Sequence, residues 1–240
     1  MTMLRSALFA AGFVAATALL VFLLSPALFA SRRAARRAGA VWGRVTIFLL
    51  RALAGIRHEV RGPLPPPGTI VAAKHQSAWE TFVLAALLPD PVYVVKRELL
   101  RVPGVGWYFR RAGQIAVDRR GGASALRRMV EGARAALENG AQVVVFPEGT
   151  RTAPGERRPY HPGVAALYRE TGAAVVPVAL NSGRHWSRRG FRMRPGTIRL
   201  EFLEPIPPGM DRRTFMACLE ERIEQACRKI EADAGRDRLG

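Results

Sequence analysis

A chain of 240 residues with 49% hydrophobic positions is long enough for one domain with a sizeable core and a short appendage. Its net charge of +18 points to a polyanion or an anionic membrane surface as a neighbour, without choosing between them. The two cysteines, Cys218 and Cys227, fall on roughly opposite faces of one predicted helix, which excludes an internal disulfide and suits a reducing compartment; the absence of HExxH or any Cys/His cluster excludes a zinc site on spacing.

Residues 7–24 are apolar and uncharged, near the short limit for a membrane span. The alternative is a signal peptide, with a thin basic start at Arg5 and a small-residue site at Ala30. Arg32, Arg33, Arg36 and Arg37 follow directly and resist translocation, so the expectation is an uncleaved anchor, crossing with its N-terminus outside or embedded in one leaflet. Residues 38–57 carry Val41, Val45, Phe48, Leu49 and Ala52 at helical spacing, with Trp42 on the apolar side. Arg37, Arg44, Arg51 and His58 recur every seven positions as a basic stripe, the pattern of a helix lying in a membrane interface. Residues 1–60 are thus expected to form a two-helix membrane-associated segment, and residues 61–240 the catalytic domain.

The linker Gly62-Pro63-Leu64-Pro65-Pro66-Pro67-Gly68 leads into alternating elements, the signature of an α/β fold with a mixed sheet flanked by helices. Strands are predicted at 69–74, 91–95, 114–118, 142–146, 174–180 and 197–203, and helices at 78–88, 122–139, 162–171 and 211–233. Asp211 is placed to cap the last helix, whose Phe215, Leu219, Ile223, Ala226 and Ile230 recur on one face.

Two stretches carry chemistry. In Lys74-His75-Gln76-Ser77-Ala78-Trp79-Glu80, a titratable His at a strand-to-helix turn is followed five positions on by a carboxylate, a candidate base with its orienting partner. On one regular helix the two would lie roughly 140° apart, so His75 must sit in the turn and Glu80 must curl back from the helix. In Phe146-Pro147-Glu148-Gly149-Thr150-Arg151, Pro ends a strand and Gly lets a ligand approach the backbone. Thr150 and Arg151 then offer a hydroxyl and a guanidinium fork suited to phosphate. Between them, Gly113-Gln114-Ile115-Ala116-Val117-Asp118-Arg119 ends on a further cation.

Taken together, HQSAWE, GQIAVDR, FPEGTR and Val175-Val176-Pro177-Val178, in this order over about residues 70–180, resemble the four blocks of the glycerolipid acyltransferases, most closely its bacterial members acting on 1-acylglycerol 3-phosphate. Glu80 stands where that family more often has Asp. The resemblance implies acyl transfer from an acyl carrier protein or coenzyme A thioester to the free hydroxyl of lysophosphatidate, making phosphatidate for phospholipid biosynthesis. It implies His75 as general base, Glu80 as its orienting carboxylate, and Glu148, Gly149, Thr150, Arg151 and Arg119 around the substrate phosphate. No cofactor, metal or enzyme nucleophile is implied, and a backbone amide at the helix start is expected to hold the oxyanion. A location at the cytoplasmic face of the inner membrane follows. Related acceptors, another lysolipid or glycerol 3-phosphate, share these blocks. A basic nucleic-acid-binding protein has only the net charge in its favour, with no zinc finger, RNP or helix-turn-helix signal.

Overall fold

The structure, a computed structural model, describes residues 2–118, 121–188 and 193–236. Among these the chain forms helix α1 (Thr2–Leu23), α2 (Arg32–Leu49), strand β1 (Ile56–Arg61), β2 (Ile70–Ala73), α3 (Trp79–Leu87), β3 (Pro91–Lys96), α4 (Val105–Arg111), β4 (Ile115–Val117), α5 (Gly122–Glu138), β5 (Gln142–Val145), α6 (Gly163–Thr171), β6 (Val175–Leu180), β7 (Gly196–Phe202) and α7 (Arg212–Arg236). A single sheet takes the order β1-β7-β6-β2-β5-β3-β4, with only β6 and β7 antiparallel.

Strand alternation divides the core into two layers. Ile70, Ala72, Val143 and Val145 face α5, α6 and α7, where Met129, Leu167, Phe215, Leu219 and Ile223 are buried. Val71, Ala73 and Val144 face the other layer, where Phe9 of α1, Leu50, and Trp79, Val83 and Leu84 of α3 pack. Asp211 caps α7 as expected, its carboxylate accepting from the amides of Arg213 (2.8 Å) and Thr214 (3.1 Å).

The expected membrane segment divides differently. Only α1 is long and apolar enough to cross a membrane among the described residues. Helix α2 is a packing helix: it buries the small face Ala35, Ala38, Gly43 and Thr46, while Phe48 stays exposed. A Cβ on Gly43 would stand 2.4 Å from the carbonyl oxygen of Phe82, so glycine permits the close approach of α2 to α3. The basic stripe does not run along one helix, because α2 gives way at Leu50 to a π-helical turn and His58 lies on β1. Strand β1 pairs in parallel with β7, so the sheet runs through the expected boundary at residue 60.

Helix α1 lies along the same body. Phe13 stands 6.0 Å from Trp42 and 5.6 Å from Phe82, joining α1, α2 and α3 in one aromatic cluster. Near one end of α1, the Met193 amide donates to the Ser6 hydroxyl (3.0 Å); near the other, the Tyr108 hydroxyl donates to the Val21 carbonyl (2.9 Å). Both ends therefore touch the domain. The outward face of α1 remains apolar, with Leu4, Leu8, Val14 and Phe22 exposed.

Candidate active site

Strands β2 and β5 lie side by side in parallel, with Ala72 opposite Val145. Their carboxyl ends therefore deliver Lys74-His75 and Phe146–Arg151 to the same edge of the sheet. The chain leaves β2 through α3 on one face and β5 through α6 on the other, so a crevice opens between them at a switch point.

Glu80 sits in the first turn of α3 and its side chain folds back to the turn, as the spacing requires. Its Oε1 lies 2.9 Å from His75 Nδ1 and accepts from the amides of Gln76 (2.6 Å) and Ser77 (2.7 Å). Its Oε2 accepts from the hydroxyls of Ser77 and Ser182, each at 2.8 Å. Burial pushes the Glu80 carboxyl up, but the bonds from His75, Ser77 and Ser182 outweigh it and hold the group below its ordinary range. An ionised carboxylate only accepts, so the imidazole carries a proton on Nδ1 and Nε2 is the ring nitrogen that Glu80 leaves free. Phe146 stacks on the ring, with centroids 4.0 Å apart.

His75 opens onto a cavity of about 940 Å³. One part of its wall is apolar, built from Leu20 and Val21 of α1, Leu24 just after it, Trp42 of α2, Phe82 of α3 and Phe109 of α4. Another part is cationic, with Arg151, Arg158 and Arg188 beside Gly149 and Thr150. Gly149 adopts φ +62°, closing a turn in which its amide donates to the Phe146 carbonyl (2.9 Å).

Of the residues singled out from sequence, His75, Glu80, Gly149, Thr150 and Arg151 come together. Glu148 does not join Arg151: its carboxylate is buried, ion-paired with Lys74 at 2.8 Å and accepting the His75 amide at 2.9 Å, and no ion pair joins it to Arg151 among the described residues. Arg119 lies outside the described residues. Of the amides around the helix start, where the oxyanion is expected, those of Gln76, Ser77 and Trp79 donate to side chains of the same turn, and that of His75 donates to Glu148. Sequence reasoning missed Ser182, Arg158 and Arg188. Nothing in the sequence marks the two arginines among 37 basic residues, whereas Ser182 follows the Val175-Val176-Pro177-Val178 block closely enough to have been a candidate.

Residues 56–181 match the protein family described as Acyltransferase. A 1-acyl-sn-glycerol-3-phosphate acyltransferase of Pseudomonas aeruginosa is 40% identical over 161 residues, covering 66% of this chain and 63% of that protein. The human 1-acyl-sn-glycerol-3-phosphate acyltransferase alpha is 32% identical over 169 residues, covering 68% of this chain and 60% of its own length. The chain thus spans less than two thirds of each of these relatives. The crystal structure of the 1-acyl-sn-glycerophosphate acyltransferase PlsC from Thermotoga maritima shares the fold, with a TM-score of 0.80 at 24% identity, covering 97% of this chain and 98% of that one. The chain belongs to the acyltransferase family.

Proposed function

We propose that this acyltransferase moves an acyl group from a thioester to the free hydroxyl of 1-acylglycerol 3-phosphate, producing phosphatidate. The observation that carries the reading is an imidazole, held on Nδ1 by a buried carboxylate, that lines a cavity with both apolar and cationic side chains in its wall. His75 Nε2 takes the hydroxyl proton as the acceptor oxygen attacks the thioester carbonyl. Glu80 steadies the imidazolium, which returns the proton to the departing thiolate as the new ester forms. The acceptor supplies the nucleophile. Arg151, with Gly149 and Thr150, grips the phosphate, and Arg119 is assigned to the same group. The donor is the thioester of acyl carrier protein or coenzyme A, and no cofactor takes part.

Membrane association fits an acceptor and product that reside in a bilayer. Helix α1 lies in one leaflet with its outward apolar face in the acyl region, and the rest of the domain sits on the cytoplasmic face of the inner membrane. The basic surface adds roughly 1 kcal/mol of attraction per residue near anionic lipid.

The test is acyl transfer by purified protein in lipid micelles with lysophosphatidate as acceptor, wild type beside His75→Ala. Phosphatidate from wild type alone is expected. Substantial turnover by His75→Ala would refute the base, and equal turnover of an acceptor lacking phosphate would refute the phosphate site.

A further inference from the structure

Directly behind His75 lies a buried ion cluster that proton transfer does not use. The Lys74 side chain is 2% exposed, with its ammonium 2.8 Å from Glu148 and 2.6 Å from Glu224 of α7. The Tyr160 hydroxyl donates to the same Glu224 oxygen at 3.2 Å. Burial and the carboxylates of Glu224 and Glu148 keep that phenol protonated, well above its ordinary range, so it remains a donor. Burial disfavours the Lys74 ammonium, but Glu148 and Glu224 more than offset this and hold it charged.

The cluster ends on the peptide of His75. Glu148 accepts the His75 amide at 2.9 Å, and the Thr152 amide donates to the His75 carbonyl at 2.7 Å. One loop thus grips the His75 backbone from both sides. Helix α7 also reaches the other neighbour of His75, since the Gln76 side chain donates to Glu231 at 3.4 Å. Glu224 and Glu231 stand seven positions apart and so share a helix face. One carboxylate would neutralise Lys74. A second, brought 150 positions along the chain, fixes where the ammonium sits and hence where Glu148 points. Replacing a buried ion pair by apolar residues of like volume is often neutral or stabilising, so the cluster is weak evidence of a purely stabilising role.

We infer that Glu224 is a positioning residue for acyl transfer, acting through Lys74 and Glu148 to fix the His75 peptide and aim its ring into the cavity. The inference rests on His75 being the base, and it assigns a role to a helix outside the matched segment 56–181.

Glu224→Gln keeps the shape and removes the charge. Turnover per folded molecule is expected to fall on the order of tenfold, the cost of a small misplacement of a reacting group, with the Michaelis constant for lysophosphatidate unchanged. The His75 amide resonance of ¹⁵N-labelled protein in micelles is expected to move. Tyr160→Phe, which removes only the donor to Glu224, gives a smaller change in the same direction and stands in should Glu224→Gln fail to fold. Unchanged turnover and an unmoved His75 amide in a folded variant would overturn the inference, as would activity lost only in proportion to folded protein. His75→Ala run in parallel separates the two failures. Turnover surviving there sinks the base assignment, whereas an inactive His75→Ala beside an unaffected Glu224→Gln sinks the role of Glu224 alone.

Discussion

Glu80→Gln tests the dyad most directly, because the structure dictates how the amide must sit. Glu80 Oε1 faces His75 Nδ1 and the amides of Gln76 and Ser77, and the two amides can only donate, so the amide oxygen takes that place and keeps the proton on Nδ1. The amide NH₂ then faces the hydroxyls of Ser77 and Ser182, which rotate to accept. The Nδ1–H tautomer survives, and what is lost is the negative charge opposite the imidazolium. A charge-assisted bond exceeds a neutral one by about 1–2 kcal/mol. Unit charges about 4 Å apart attract by about 4 kcal/mol at an effective dielectric of 20, and that figure already contains the gain of the charged bond. A net loss of about 2–4 kcal/mol lowers turnover by roughly 30- to 1,000-fold. That is less than the ~10⁴-fold loss seen where an amide also imposes the wrong tautomer. The assay is initial-rate release of thiol from the acyl donor in lysophosphatidate micelles, with His75→Ala as the floor. A turnover number within about threefold of wild type, under ~1 kcal/mol, refutes the reasoning. Stability gives a second reading: the depressed pKa of folded Glu80 means its stabilisation is present above the unfolded carboxylate value and is lost as pH falls through the folded one. Melting curves of Glu80→Gln should lack that part of the acid destabilisation.

Arg151→Ala should raise the Michaelis constant for lysophosphatidate by about 10- to 100-fold, the worth of a charged hydrogen bond, with turnover number little changed; a loss confined to turnover number would mean its contact forms only in the transition state. Gly43→Ala places a methyl 2.4 Å from the Phe82 carbonyl, so overpacking of about 1–3 kcal/mol should lower the melting temperature by several degrees, and an unshifted melt contradicts the close α2–α3 approach. Phe22 on the outer face of α1 is 76% exposed, and Phe22→Asp should weaken binding to anionic vesicles on the order of tenfold while leaving the melt unchanged. Equal vesicle binding would remove that face from the membrane contact.

What the sequence disclosed and what it hid follow one physical divide. The His75–Glu80 geometry was legible because five residues at a strand-to-helix turn decide it locally, and α7 because Phe215, Leu219, Ile223 and Ile230 repeat the burial they have in the core. Strand β1 was not legible: it is an edge strand, Ile56-Arg57-His58-Glu59-Val60-Arg61 reads as charged, and only pairing with β7 makes it a strand. Helix α4 is absent from the predicted elements, because Pro103, Gly104 and Gly106, which precede or open it, are turn residues; a Cβ on Gly106 would stand 2.4 Å from the Leu100 carbonyl, so tertiary closeness holds that turn. Glu148 was misplaced for a related reason. A carboxylate beside Arg151 in sequence suggests a pair, but the partner that sheet order brings is Lys74, and Glu224 arrives from a helix whose register is set by the core.

The path of α1 bears on how a bilayer-resident acceptor meets a buried dyad. Leu20, Val21 and Leu24 form part of the wall that His75 faces, and Thr17 accepts from the Trp42 indole at 3.0 Å. Were α1 to cross the bilayer away from the domain, that wall would open, and the bonds at Ser6, Thr17 and Val21 would be left in hydrocarbon or unmade. A helix lying in one leaflet keeps all of them while its outward residues enter the acyl region. On that geometry the anchor and the cavity wall are one element. On the proposed function, a lysolipid would reach His75 by moving sideways along α1, with its chain against apolar residues and its phosphate meeting Arg151, without leaving the bilayer whole.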